Sequence, residues 1–291
     1  MMRAATLIGF CAIALWSCLA VLTAASGALP PFELAALTFA IGGGLGLAAA
    51  FFRGKLRALR QPWPVWALGV GGLFFYHALY FAALRLAPPA EAGLIAYLWP
   101  LLIVLFSALL PGEVLRARHV LGACLGLGGV AMLLFGGKLA RGEGIGLEAR
   151  FLPGYSLALA CAFVWALYSV ASRRVKHVPS DAVAGFCLGT AGLALLAHLA
   201  FETTVWPATT TQGLAIAGLG LGPVGLAFYV WDHGVKHGDI RLLGVASYAA
   251  PVLSTLILVG AGYAQASFAL AAACGMIVAG AVVASRAGGE K

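Results

Sequence analysis

The sequence predicts an all-α integral membrane protein: ten transmembrane helices built as two inverted five-helix repeats, with the N- and C-termini in the cytoplasm. Three observations carry that reading. Hydrophobic residues make up 62% of the 291 residues and charged residues only 10%. Apolar runs of about 20 residues recur along the whole chain, each long enough to cross about 30 Å of hydrocarbon as a helix. The second half of the chain also repeats landmarks of the first.

Composition excludes most other classes. With a mean hydropathy of +0.99, the chain lacks the polar surface that a soluble domain of this length requires. The net charge of +8 does not imply nucleic acid, because Lys and Arg are dispersed among apolar spans rather than gathered on one polar face. Cys11, Cys18, Cys124, Cys161, Cys187 and Cys274 all fall inside apolar runs, with no CxxC pair. They read as inert buried thiols rather than a metal site or a disulfide framework. The N-terminal run, from Met1–Arg3 to Ala24-Ala25-Ser26-Gly27, has the outline of a signal peptide. Its length and its counterpart in mid-chain favour a retained first helix.

The spans fall at 5–25, 33–52, 65–85, 90–110, 116–136, 153–173, 181–201, 212–234, 240–262 and 266–285. A lone span in lipid must satisfy its own backbone hydrogen bonds, which selects helix. With the N-terminus inside, the cytoplasmic segments hold all of the 18 basic residues except Arg85, Lys138, Arg141 and Arg150. That bias places both termini in the cytoplasm.

Sliding the chain on itself by about 150 residues exposes the repeat. Trp16 falls on Trp165, Tyr97 and Pro100 on Tyr248 and Pro251, Gly69 and Gly71 on Gly220 and Gly222. Tyr80 falls on Trp231, Arg85 on Lys236 and Gly129 on Gly280. The repeats are expected at 1–137 and 153–285, joined by a periplasmic connector at 138–152 and followed by a cytoplasmic tail at 286–291. Each repeat has an odd number of spans, so the second enters the membrane upside down. Inverted repeats are a recurring architecture of secondary transporters, with the substrate site at the repeat interface near the midplane.

Pro100 and Pro251 sit at matched positions near the middle of spans four and nine. Each removes an amide donor and crowds the carbonyl four residues earlier, at Ala96 and Ser247. The freed carbonyls must be buried in protein or face water, so the pair is expected to mark a kink, hinge or cavity. Aromatic residues gather at the same level: Tyr76, Tyr80, Tyr97, Trp99, Trp165, Tyr168, Trp231 and Tyr248. Core packing is the plain alternative for this group. Phe51, Phe52, Trp63, Trp66 and Trp206, near span ends, fit the interfacial belt instead.

Ionisable groups inside spans are functional suspects by default. His77 lies near mid-span and can bind a proton or orient a substrate; a hydrogen-bonded structural histidine is the competing reading. Asp232 and His233 lie towards the cytoplasmic end of span eight and are the other candidates for a proton-linked role. His198 and Glu202 are placed at an outer helix end, without a role. Gly220-Leu221-Gly222-Pro223-Val224-Gly225 fits GxGxxG, but no strand precedes it and a nucleotide site needs strand, turn and helix. Gly42/Gly46, Gly122/Gly126 and Gly218/Gly222 read as close helix packing. No motif calls for a cofactor or a metal.

Residues 84–136 carry a family resemblance. Leu84-Arg85-Leu86-Ala87-Pro88-Pro89-Ala90-Glu91 leads to Tyr97-Leu98-Trp99-Pro100, then Pro111-Gly112-Glu113, Gly122 and Gly129. This stretch resembles the first EamA-type repeat of the drug/metabolite transporter superfamily, and Tyr97–Pro100 resembles its aromatic amino-acid exporter branch. The resemblance implies a monomeric exporter of the bacterial inner membrane, working by alternating access on aromatic amino acids or related small metabolites. One departure stands out: after span nine, Gly262-Tyr263-Ala264 has no acid to match Glu113. The other classes are an exporter of a different substrate class, a passive channel and an intramembrane enzyme. A sugar-nucleotide exporter should show basic residues deep in its cavity, and an enzyme a catalytic dyad or metal ligands within the spans.

Overall fold

The computed structural model describes residues 2–142, 148–260 and 265–286. Most of the 138–152 connector's polar centre, the Gly262–Ala264 stretch and all but Arg286 of the tail lie outside the described residues. Among the described residues ten helical spans are long and apolar enough to cross a membrane, and no strand occurs. They are α1 Met2–Ala25, α2 Pro31–Phe52, α3 Trp63–Leu86, α4 Pro89–Ser107, α5 Ala117–Ala140, α6 Ala149–Arg174, α7 Ser180–Phe201, α8 Thr210–His237, α9 Ile240–Gly260 and α10 Phe268–Arg286. The end of the bundle where α1 begins and α10 ends is called here the terminal face.

Pairing of the spans displays the two-fold relation of the halves. The most extensive contacts join α5 with α10, α2 with α7, α3 with α6, and α1 with α8. Exchanging the halves returns α2–α7 and α5–α10 to themselves and swaps α3–α6 with α1–α8, as an inverted repeat requires. Small residues permit these contacts, since lipid supplies no hydrophobic drive between helices and close backbone packing must take its place. A Cβ added to Gly280 of α10 would lie 2.5 Å from the Gly122 carbonyl oxygen of α5. One added to Gly234 of α8 would lie 2.6 Å from Gly9 Cα of α1.

Both prolines do more than kink their helices. Span α4 stops at Ala96 and restarts at Trp99, giving half-helices α4a (Pro89–Ala96) and α4b (Trp99–Ser107). Span α9 likewise divides into α9a (Ile240–Ala246) and α9b (Ala249–Gly260). The Leu101 amide, one residue past Pro100, donates to the Tyr248 hydroxyl oxygen at 3.2 Å. The break in α4 therefore borrows an acceptor from the other half, as irregular backbone at membrane depth must.

One feature departs from the two-fold. On the terminal side α4b packs along α9a, with Gly244 beneath the Pro100 carbonyl: a Cβ there would meet that oxygen at 3.2 Å. Their counterparts α4a and α9b make no comparable contact on the opposite side. The centre of the bundle is sealed towards the terminal face and parted towards the other.

Candidate functional site

Four indoles meet at the centre, one each from α1, α4b, α6 and α8. Trp16 lies 5.1 Å from Trp231, 5.8 Å from Trp165 and 6.3 Å from Trp99, ring centre to ring centre. Trp99 lies 6.1 Å from Trp165 and 5.9 Å from Trp231, and Trp165 lies 6.4 Å from Trp231. All six pairs are thus within aromatic contact, mostly edge to face, the arrangement the ring quadrupole favours. Trp16 and Trp165 are repeat mates, so the cluster straddles the pseudo-two-fold.

A second shell of rings extends the cluster. Tyr76 of α3 sits 4.9 Å from Trp165 and lies parallel to Tyr80 at 6.2 Å. Tyr168 is 5.3 Å from Trp165. His77 lies 5.2 Å from Tyr76 and 5.1 Å from Phe39, and Phe39 stacks on Phe228 at 5.4 Å. Tyr76, His77 and Tyr80 are only half-buried.

Polar atoms divide into satisfied and free. The Trp16 indole N–H donates to the Pro223 carbonyl at 3.1 Å, within a π-helical turn of α8 at Gly222–Leu226. Such turns leave a carbonyl outside the regular ladder. The Trp231 N–H donates to Ser169 Oγ at 3.2 Å. His77 Nδ1 is 2.7 Å from the Leu73 carbonyl oxygen; a carbonyl can only accept, so the neutral ring carries its proton there and presents Nε2 as an acceptor. One buried hydroxyl, Thr190 Oγ1, has no partner among the described residues, and Tyr168 Oη has only Ser172 close by, at poor hydrogen-bond geometry. Among the described residues no group of acids, cysteines and histidines is arranged to hold a metal ion.

Of the predicted site residues, Tyr76, His77, Tyr80, Trp99, Trp165, Tyr168 and Trp231 come together in this one aromatic assembly. Tyr248 does not. It is fully buried in a separate core with α5 and α10, its ring against Gly126 and its hydroxyl occupied by Leu101. It clamps the two breaks; Tyr97 packs against that same core and also lies near Tyr76 and Tyr80, between the two groups. Asp232 lies one residue beyond Trp231, near the end of α8, and is buried. It pairs with the equally buried Lys236 at 2.8 Å and accepts from Ser180 Oγ at 2.6 Å. His233 instead faces His237 at 4.9 Å.

The reading of His198 and Glu202 as groups without a role also needs correcting. Glu202 accepts from the Phe32 and Glu33 amides, from Arg85 at 3.1 Å, and lies 3.1 Å from His198 Nδ1. Glu33 in turn accepts the Val205 amide at 2.9 Å. Together these groups tie the ends of α2, α3 and α7 on the face opposite the terminal one. Sequence reasoning also passed over Trp16, Phe39 and Phe228. Trp16 had a usable signal, being the repeat mate of a nominated residue; the two phenylalanines had none, since phenylalanine is common throughout these spans.

An inverted pair of five-helix units with broken fourth helices and a central aromatic assembly can be compared with known families. The EamA-like transporter family matches residues 3–135 and again 152–286. The chain belongs to the EamA-like transporter family. It is 62% identical to the aromatic amino acid exporter YddG of Ancylobacter novellus, over 97% of this chain and 96% of that one. The Salmonella typhimurium protein of the same name is 32% identical, with 87% of each chain covered. A solved crystal structure, 61% identical, superposes with a TM-score of 0.93 over 98% of both chains. The chain is accordingly a multi-pass transporter of the bacterial inner membrane, with a small molecule as its substrate.

Proposed function

We propose that this transporter exports aromatic amino acids from the cytoplasm, by alternating access around the four-tryptophan cluster. The observation that carries the proposal is the placement of Trp16, Trp99, Trp165 and Trp231 at the repeat interface, beside half-buried Tyr76, His77 and Tyr80. The names of the relatives point to the same substrate class.

The physical fit is quantitative as well as qualitative. One good ring contact contributes about 0.5–1.5 kcal/mol beyond area burial, and two or three such contacts come within reach of the roughly 4 kcal/mol of a millimolar complex. Weak binding suits an exporter that must release its load. The zwitterion's ammonium can lie on a ring face or donate to His77 Nε2. The four indoles themselves bring no net charge to the centre, which suits neutral and zwitterionic solutes over nucleotides.

Charge bias supports placing the terminal face in the cytoplasm. The boundaries at 1–137, 138–152, 153–285 and 286–291 belong to this reading, as does a single chain as the working unit. The parted side then opens outward, and transport requires the seal between α4b and α9a to exchange with the gap between α4a and α9b. In this reading, Asp232 and Lys236 belong to the closed cytoplasmic end. Purified protein in liposomes, given a panel of amino acids with and without a pH gradient, tests the proposal. Saturable transport of phenylalanine, tyrosine and tryptophan, with little of alanine, is expected. Transport that does not saturate, or that ignores the ring, contradicts it.

A further inference from the structure

Glu113 stands outside the aromatic assembly, yet it gathers four elements that must separate if the terminal face is to open. Its Oε1 is 2.6 Å from Arg173 Nη2 at the end of α6, and its Oε2 is 3.1 Å from Arg241 Nη2 at the start of α9a. Glu113 itself lies on the turn that follows α4b. Arg173 carries the network on, donating to the Val235 and Gly238 carbonyls at the end of α8 at 2.9 and 2.7 Å. Arg241 donates to the Val114 carbonyl at 2.6 Å and approaches Asp239 at 3.5 Å. One carboxylate thus joins α4, α6 and α9 directly and α8 through an arginine.

On the other face α9b carries no ionisable side chain and α4a carries Glu91 alone, so no ion pair can join these two half-helices. At the repeat offset, Arg241 falls on Ala90 and Arg173 falls between Leu22 and Ala24. The ionic cluster that does exist there, around Glu202, binds α2, α3 and α7 and touches neither α4a nor α9b. Tyr155 donates to Glu91 and holds α4a back against α6. Hence the two ends of the pathway differ in chemistry as well as in spacing.

We infer that Glu113 is the positioning residue of a one-ended ionic latch that holds the terminal face shut and so favours the state open on the opposite side. The inference rests on the alternating-access reading proposed above. Its partners are only partly exposed, 19% for the Arg173 side chain and 17% for Arg241, with 13% for Glu113. The latch therefore falls between a solvent-screened surface pair and a desolvated one.

Hydrogen–deuterium exchange of the full-length protein in lipid nanodiscs, wild type against Glu113→Gln, tests this. The neutral amide keeps the shape and removes the charge. Exchange over 107–117 and 236–246 should rise roughly tenfold, the scale expected for an ion pair of intermediate exposure. Exchange over 86–96 and 250–260 should fall in step, because closing one mouth accompanies opening the other. Arg241→Gln, which leaves Arg173 on Glu113, should give the same opposed pattern at smaller amplitude. Faster exchange at both faces would mean a merely structural role and overturn the latch. If both variants match the wild type while phenylalanine still produces opposed changes in the wild type, the latch is wrong and alternating access stands. If phenylalanine produces none either, alternating access fails and the latch with it.

Discussion

Tyr248 and Leu101 are joined across the two halves of the protein: the Leu101 amide, orphaned by the break at Tyr97–Leu98, donates to the Tyr248 hydroxyl at 3.2 Å. The acceptor sits in the matching break of α9, so the discontinuity in α4 is completed by a side chain from the other half. In lipid no water can take over that amide. Tyr248→Phe should therefore cost about 1–3 kcal/mol, the desolvation cost of an unpaired buried donor. A lowered thermal midpoint with unchanged phenylalanine affinity is expected from parallel unfolding and binding measurements. An affinity loss at unchanged stability would put Tyr248 in the binding site after all.

Tyr76 is the half-buried ring that reaches Trp165 and Tyr80 at once. Tyr76→Ala should weaken phenylalanine binding by up to about tenfold, equivalent to one lost aromatic contact of about 0.5–1.5 kcal/mol. Tyr76→Phe should bind nearly as the parent does. Equilibrium binding to the purified protein distinguishes them, and equal losses would show that the hydroxyl rather than the ring matters.

Asp232 and Lys236 form a fully buried pair one turn apart on α8. Asp232→Asn leaves the Lys236 ammonium, which donates to the Val178 carbonyl, buried without its counter-charge, a loss of about 3–5 kcal/mol. Little folded protein should be recovered. Asp232→Asn combined with Lys236→Met removes both charges and should restore most of the yield, read by size-exclusion chromatography. Failure of the double variant would point to a role beyond pairing.

Gly280 faces the Gly122 carbonyl at a distance that leaves no room for a methyl group. Gly280→Ala should lose about 1–3 kcal/mol through overpacking of α5 on α10. Gly192→Ala, with nothing within 4 Å of the added Cβ, should be neutral or gain up to about 1 kcal/mol in helix propensity. Thermal unfolding of the two variants side by side gives the comparison.

Much of this architecture was legible in the residues, for local reasons. Each span announces itself by an apolar run, and the largest shifts are at ends: span five runs on to Ala140 rather than 136, and span six begins at Ala149 rather than 153. Matched prolines marked both discontinuities, although a proline alone does not distinguish a kink from the break found at Tyr97–Leu98. Tertiary partners were not legible. Glu202 looked like an ordinary charge beside a helix end, because Arg85 and Phe32, which bury and satisfy it, lie more than a hundred residues away in the chain. Tyr248 and Trp99 flank matched prolines, but only packing sends one ring behind the break and the other to the centre. Trp16 was visible as a repeat mate and invisible as a neighbour of three other indoles.

The central claim is that an aromatic amino acid binds between the repeats at the tryptophan cluster. A crystal structure with 4-iodophenylalanine bound, its iodine located by anomalous scattering, tests this most directly. The account predicts a peak in contact with Tyr76 and Trp165, towards the gap between α4a and α9b. A peak confined to the apolar groove between α4 and α5 lined by Leu94, Leu98 and Leu127 would contradict it.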